Sequence, residues 1–299
     1  MILFGLPRMT GLAAALAPLA ELRRGRAVIG RFPNGELHAT VETPVAGQEC
    51  LLLGSVAPPD EDLLATLLLA HTLVKEGAGT LTVLLPYLGY SRHDRAQPGK
   101  SLGTAWLGAL LQASGAQEVI TVDVHSAQAA RLFPILLHSL SPAALFAVEV
   151  GRGGVDDVSV VAPDEGAIAR GEAVRAAAGV PRPLAHFTKT RTEHGVAHTA
   201  LHGPVAPRVV LVDDILDTGG TLVSACERLV DLGVHDIRVM VTHGLFTGTG
   251  WQRLRALRVS AIYCTDTVAP PPGAEPVTVL SVAPLMAAHL RSRVGVAAV

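Results

Sequence analysis

An α/β fold, with mainly parallel sheets flanked by helices, is predicted by three features of the chain. Short apolar runs of strand length alternate with helical patterns, the signature of strand–helix–strand units. Polar residues able to hold a ligand stand where successive apolar runs end, as a sheet-edge site in such folds requires. Residues 209–221 read Val-Val-Leu-Val-Asp-Asp-Ile-Leu-Asp-Thr-Gly-Gly-Thr, a buried strand run followed by acids, a glycine turn and a helix start.

The elements follow in chain order. Gly11–Ala20, after Arg8, resembles the apolar core of a secretory leader. It reads better as an amphipathic helix, because Ala27–Phe32 reads as the next strand. Leu51–Gly54 is a strand. Asp60–Glu76 is a helix, with Asp60 and Glu61 at its start and Leu63, Leu64, Leu67, Leu68 and Val74 inside. Leu81–Leu85 is a strand, Gly103–Ser114 a helix ending before Gly115, and Val119–Val122 a strand. Glycines crowd Glu149–Asp157, which sets a domain break and predicts two domains, 1–148 and 149–299, without a residue-level repeat between them. Val158–Ala162, Val209–Val212, Ile237–Val241 and Ala261–Cys264 are the strands of the second half. The helix Leu222–Leu232 buries Cys226, Leu229 and Val230. After Pro270-Pro271-Pro272-Gly273 the last helix is Ala283–Arg293.

The 299 residues are 49% hydrophobic, enough for two cores. The formal net charge of −2 argues against a nucleic-acid partner. Only 17% of residues are charged and the mean hydropathy is +0.40, which suits surface buried between subunits. Cys50, Cys226 and Cys264 lie far apart, with no metal-ligand or disulfide spacing, as in a reducing compartment. No apolar run approaches the roughly 20 residues that span a bilayer. The chain reads as cytoplasmic, without a membrane partner.

Residues 209–221 carry the most specific chemistry. A strand delivers Asp213 and Asp214 to the edge where parallel sheets bind ligands, and two acids there can hold sugar hydroxyls or a hydrated metal. Gly219 and Gly220 let the backbone turn tightly. The amides at the helix start, with the Thr218 and Thr221 hydroxyls, make a phosphate cradle. The plain alternative is a junction capped by Asp217 or Thr218; two acids joined to Asp-Thr-Gly-Gly-Thr favour the phosphosugar site.

Four further segments are ordinary turns or loops when taken singly. Phe32-Pro33-Asn34-Gly35-Glu36 sets an amide and a carboxylate on a tight turn. Pro86–Arg95 packs two tyrosines, two arginines and a histidine into ten residues; arginine forks phosphate oxygens and a ring can stack on a base. His125, in Asp123–Gln128, and Asp164, after Val158–Ala162, leave two strand exits and suit Mg2+, which takes few protein ligands and keeps waters and phosphates. Lys189 and Arg191, on a hydrophilic loop, can meet charge on a transferring phosphoryl group.

The 209–221 stretch resembles the diphosphoribosyl-phosphate signature of type I phosphoribosyltransferases and ribose-phosphate diphosphokinases. The ordered set, Phe32–Glu36, Pro86–Arg95, Asp123–Gln128, Pro163–Gly166, Lys189–Arg191, Val212–Thr221 and Thr242-His243-Gly244, is similar to the ribose-phosphate diphosphokinase family over nearly the whole chain. The resemblance implies two type I phosphoribosyltransferase-like domains, the first on the ATP side and the second on the ribose 5-phosphate side. It implies a homo-oligomer, a dimer or a hexamer, and transfer of the ATP diphosphoryl group to the 1-hydroxyl of ribose 5-phosphate, for nucleotide biosynthesis. It further implies that Phe32, Asn34, Gly35 and Glu36 meet ATP, from the same or a neighbouring subunit, together with Arg92, His93, Asp94 and Arg95. His125 and Asp164 hold Mg2+, and Lys189 and Arg191 are the catalytic pair. Arg191, Asp213, Asp214 and Asp217, Thr218, Gly219, Gly220 and Thr221 bind ribose 5-phosphate, the 217–221 loop taking its phosphate.

Some positions depart from the family pattern. Asn34 stands where Asp is usual and His93 where Gln is usual. Ala96 ends the Asp94-Arg95 run where Lys is common, in a region tied to phosphate and ADP regulation. Ala167 replaces a glycine beside Asp164. Two alternatives stay open: a catalytically silent synthetase-like regulatory subunit, which these replacements favour, and a phosphoribosyltransferase, which has no use for the arginine loop or for Lys189 and Arg191.

Overall fold

The computed structural model describes residues 1–192, 195–271, 273, 274 and 276–296, with side chains at 189–192, 195–199 and 294–296 outside that description. The chain forms two compact units, residues 1–140 with 282–299, and residues 141–281.

The first unit opens with β1 (Ile2–Gly5), α1 (Thr10–Leu19), β2 (Arg23–Arg24), β3 (Ala27–Arg31), β4 (Leu37–Val41) and β5 (Glu49–Leu53). It continues with α2 (Glu61–Lys75), β6 (Thr80–Leu85), α3 (Gly103–Ala113), β7 (Glu118–Val122), α4 (Ala127–Arg131) and β8 (Leu136–Leu140). Six strands form a sheet in the order β2-β1-β5-β6-β7-β8, each neighbouring pair parallel. Its central strands are covered on both faces, so they read as unbroken apolar runs: Leu51, Leu52, Leu53, Val83, Leu84 and Leu85 are inaccessible to solvent. β3 and β4 stand apart as an antiparallel hairpin pairing Arg31 with Leu37.

The second unit holds α5 (Ala143–Gly151), β9 (Val158–Ala162), α6 (Ile168–Ala178), β10 (Ala185–Thr192), β11 (Gly195–His202), β12 (Arg208–Leu216), α7 (Gly220–Asp231), β13 (Asp236–Gly244), β14 (Val259–Thr265) and β15 (Thr278–Leu280). Its sheet order is β11-β10-β9-β12-β13-β14-β15. The pairs are parallel apart from β10 with β11. α7 buries Leu222, Val223, Ala225, Cys226 and Leu229 in the core formed with Val209, Leu211, Val239 and Trp251. The three cysteines are free and buried.

The last helix, α8 (Ala283–Val296), belongs to the first unit. It packs on α1, burying Met286, Ala287 and Leu290. Glu118, at the start of β7 and 7% exposed, ties it down. The carboxylate accepts from Arg293 at 2.6 Å, His138 at 2.7 Å and the Thr82 hydroxyl at 3.1 Å. Burial, followed by the nearby His138 and Arg293, lowers the pKa of His289 on the same helix.

Two boundaries differ from the expected ones. The division falls at Leu140/Ser141, and the expected 148/149 position lies inside α5, because Phe146 and Val150 are core residues of the second unit. The expectation that everything after 149 forms one domain also gives way at α8. No helix among the described residues is long and apolar enough to cross a membrane.

Candidate active site

In the second unit β12 runs through Leu216, so Asp213 and Asp214 lie within the strand and not beyond it; Asp213 pairs with Val241 and Ile215 with His243 of β13. Both acids are buried, at 8% and 7% exposure. The Asp213 carboxylate accepts the Asp214 amide at 2.9 Å. Burial pushes the Asp213 pKa well above the usual carboxylate range; the charges of Asp214 and Asp164 add to the rise and Arg170 opposes it. Arg170, on α6 and mostly buried at 11% side-chain exposure, reaches Asp214 at 3.8 Å. Asp164 caps the turn before α6, accepting the Ala167 amide at 3.1 Å. Arg170 thus sets a positive charge against this cluster of acids.

Arg170 has no place among the sequence-predicted site residues. Nothing local marks it; it stands six positions beyond Asp164, and only the turn into α6 brings it to β12.

Beyond β12, Asp217 and Thr221 are partly exposed, while Thr218 and Gly220 are open to solvent. Gly219 caps α7 with φ +87°, and a Cβ there would lie 2.6 Å from the Trp251 backbone. Gly250 is matched to it, since its Cβ would lie 2.6 Å from the Thr218 carbonyl. The loop is therefore held from behind by residues 250 and 251. The amides of the first α7 turn have no acceptor within the helix, and with the Thr218 and Thr221 hydroxyls they can cradle an anion.

His243 does not stand at a strand exit: β13 runs through Gly244. The imidazole is buried and its Nδ1 hydrogen-bonds the Thr267 hydroxyl at 2.8 Å.

Lys189 and Arg191, expected on a loop, are residues of β10 in the β10–β11 hairpin, with a register shift between Thr188 and Lys189. Their side chains lie outside the described residues.

In the first unit Phe32–Glu36 is the tip of the β3–β4 hairpin. The Phe32 amide donates to the Glu36 carbonyl at 2.9 Å and the Gly35 amide to the Phe32 carbonyl at 2.8 Å. The Asn34 side chain accepts the Glu36 amide at 3.2 Å, and Gly35 takes φ +91°. Phe32 is 53% exposed, beside His38 at 4.8 Å. Arg31 braces the tip, donating to the Gly35 carbonyl and to Glu61 on α2, each at 2.6 Å. Gly35 and Glu36 line a groove of about 810 Å³ against Leu64, Leu68 and His71.

The arginine loop follows β6. Arg92, His93 and Arg95 are exposed, whereas Asp94 is turned inward. Tyr90 adopts φ +62°, a left-handed conformation a bulky residue keeps only under constraint. Its hydroxyl donates to Asp60 at 2.5 Å, its ring meets Trp106 edge-on at 5.2 Å and its carbonyl accepts from Thr104. The bond to Asp60, more than burial, raises the Tyr90 phenol to about 12. His125 is exposed, on the turn between β7 and α4.

The structure thus gathers Asp164, Asp213 and Asp214 in one unit and sets the arginine loop, the hairpin tip and His125 in the other. Among the described residues no three His, Cys, Asp or Glu side chains form a metal cluster. His125 in the first unit and Asp164 in the second are each the type of donor that a cation held largely by water and phosphate takes.

A mainly parallel sheet with paired acids within β12 and a glycine turn opening α7 marks the class, a phosphoribosyltransferase-type α/β protein. Residues 1–115 match the model of the N-terminal domain of ribose phosphate pyrophosphokinase, and residues 145–267 match the phosphoribosyl transferase domain. The ribose-phosphate pyrophosphokinase of Clostridium perfringens is 33% identical over 92% of this chain and 89% of its own length. That of Bacillus caldolyticus is 30% identical over 95% and 92%. The crystal structure of phosphoribosylpyrophosphate synthetase from Mycobacterium smegmatis covers 98% of each chain with a TM-score of 0.86 and 28% identity. The chain belongs to the ribose-phosphate pyrophosphokinase family.

Proposed function

We infer that this protein transfers the diphosphoryl group of ATP to the 1-hydroxyl of ribose 5-phosphate, giving 5-phosphoribosyl 1-diphosphate and AMP. The observation that carries this reading is the acid pair and anion cradle on β12 and α7, in a chain whose relatives are ribose-phosphate pyrophosphokinases over nearly their full length.

Asp213 and Asp214 accept hydrogen bonds from the sugar hydroxyls. The first-turn amides of α7, with Thr218 and Thr221, take the 5-phosphate, and the Asp217–Gly220 turn shapes the cradle. Arg92 and His93, with Arg95 beside them, bind the nucleotide, and Phe32 flanks its base while Asn34, Gly35 and Glu36 present the hairpin tip. The exposure of that tip supports its use by ATP bound to a neighbouring copy, in a cytoplasmic homo-oligomer. Lys189 and Arg191 meet the charge that develops on the transferring group. The 1-hydroxyl oxygen bonds to the β-phosphorus, the bond from that phosphorus to the α,β-bridging oxygen breaks, and the hydroxyl proton is released; AMP departs. Catalysis rests on positioning and charge neutralisation, without a covalent enzyme intermediate. His125 and Asp164 would hold Mg2+, which supplies charge neutralisation on the phosphates when bound.

The test is purified protein with Mg2+, ATP and ribose 5-phosphate, following AMP and phosphoribosyl diphosphate together. Equal amounts of both, lost on omitting the sugar phosphate or adding a chelator, are expected. ADP in place of AMP refutes the reading.

A further inference from the structure

We propose that Asp94 and Ser126 form a clasp that locks the arginine loop to the His125 turn, so that Asp94 is a positioning residue and not a nucleotide contact. The proposal rests on the function inferred above. Asp94 is 9% exposed, although its neighbours His93 and Arg95 face solvent. Its Oδ2 accepts the Ser126 hydroxyl at 2.5 Å, a charge-assisted bond of the strong kind. The same hydroxyl oxygen accepts the Ala129 amide at 3.0 Å and caps α4. Ser126 therefore uses its single proton on Asp94 and an oxygen lone pair on the helix.

Both clasped segments are pinned elsewhere. In the arginine loop the Thr104 hydroxyl lies 3.0 Å from the Tyr90 carbonyl and 3.1 Å from the His93 carbonyl and shares its one proton between them, and the His93 amide donates to the Tyr90 carbonyl at 3.0 Å. In the other segment the Asp123 amide reaches the Leu140 carbonyl at 2.9 Å, and the Val124 amide reaches the Ser139 hydroxyl at 2.9 Å. His125 stands between Val124 and the clasped Ser126, as Arg92 and His93 stand between Tyr90 and the clasped Asp94. A shift of one segment reaches the other through the Asp94–Ser126 hydrogen bond. The residues that grip the nucleotide and the residue proposed to hold its cation then bind as a coupled pair.

Calorimetric titration with ATP and Mg2+ tests this on the full chain, beside steady-state turnover. Asp94→Ala and Ser126→Ala are expected to weaken ATP binding and raise KM for ATP about tenfold each, with KM for ribose 5-phosphate within twofold. The double variant is expected to be no worse than the poorer single one, since both lose the Asp94–Ser126 bond and Ser126→Ala loses the α4 cap besides. Ser126→Asp keeps an acceptor for the α4 cap but sets a carboxylate against Asp94, so it fails as the alanine variant does; Ser126→Thr keeps the hydroxyl and restores binding. Unchanged ATP binding in variants that melt like the parent, multiplicative losses in the double variant, or normal binding in Ser126→Asp would overturn the clasp. A parent protein that binds ATP yet forms no AMP refutes the inferred reaction, while the binding comparison still decides the clasp.

Discussion

Arg170→Met gives the sharpest test of the acid cluster. The substitution keeps much of the side chain's length and removes the charge that faces Asp214 at 3.8 Å. At an effective dielectric of about 20 the lost attraction is about 4 kcal/mol. Release of the partly buried guanidinium's own desolvation penalty offsets part of it, leaving about 2–3 kcal/mol. For a domain of this size that lowers Tm by about 5–10 °C. The deficit depends on pH, and its sign follows from Asp213. Its folded pKa is raised, chiefly by burial, so the stability it contributes is fully present below the unfolded carboxylate value of about 3.9. That contribution is lost as pH rises through the folded value. Without Arg170 the folded value rises further, and the loss extends over a wider range. Thermal melts without divalent cation, at pH 5 and pH 8, should show the deficit widening toward pH 8. A Tm equal to the parent's, or a deficit that narrows with rising pH, would refute the argument that Arg170 offsets the acid pair.

Three further substitutions test other parts. Lys189→Ala should lower kcat by about 10²–10⁴ with ATP affinity nearly unchanged, as for a group that meets charge only in the transition state; near-normal turnover would remove Lys189 from catalysis. Gly219→Ala sets a Cβ 2.6 Å from the Trp251 backbone at φ +87°; a cost of about 1–3 kcal/mol and at least a tenfold rise in KM for ribose 5-phosphate are expected, read by melting and by kinetics. Glu118→Ala strips the buried carboxylate from Arg293, His138 and Thr82; with the Arg293 side chain 35% exposed, a loss of about 2 kcal/mol is expected, together with faster proteolysis within α8.

The central elements of both sheets were legible because they are buried on both faces, and burial writes continuous apolar runs. Val158–Ala162 was placed to the residue. Elements without that signature were missed. β8 is half-exposed, β11 is an edge strand of the second sheet, and β10 carries Lys189 and Arg191 in an alternation of threonine and cation that reads as a loop. Glu149 and Gly151 looked like a linker, yet they end α5, whose apolar face is committed to the second unit.

Sequence by itself determined the family and the α/β class, and it pointed to the segments proposed to carry the chemistry, since acids, glycines and hydroxyls in that order have few other uses. Only the tertiary structure decided which groups answer one another. Arg170 meets Asp214, Ser126 meets Asp94 and Glu118 draws α8 back onto the first unit. The reason is physical. Local order follows from neighbours along the chain, whereas the partner of a buried charge is whichever group the packing of distant elements brings within a few ångströms.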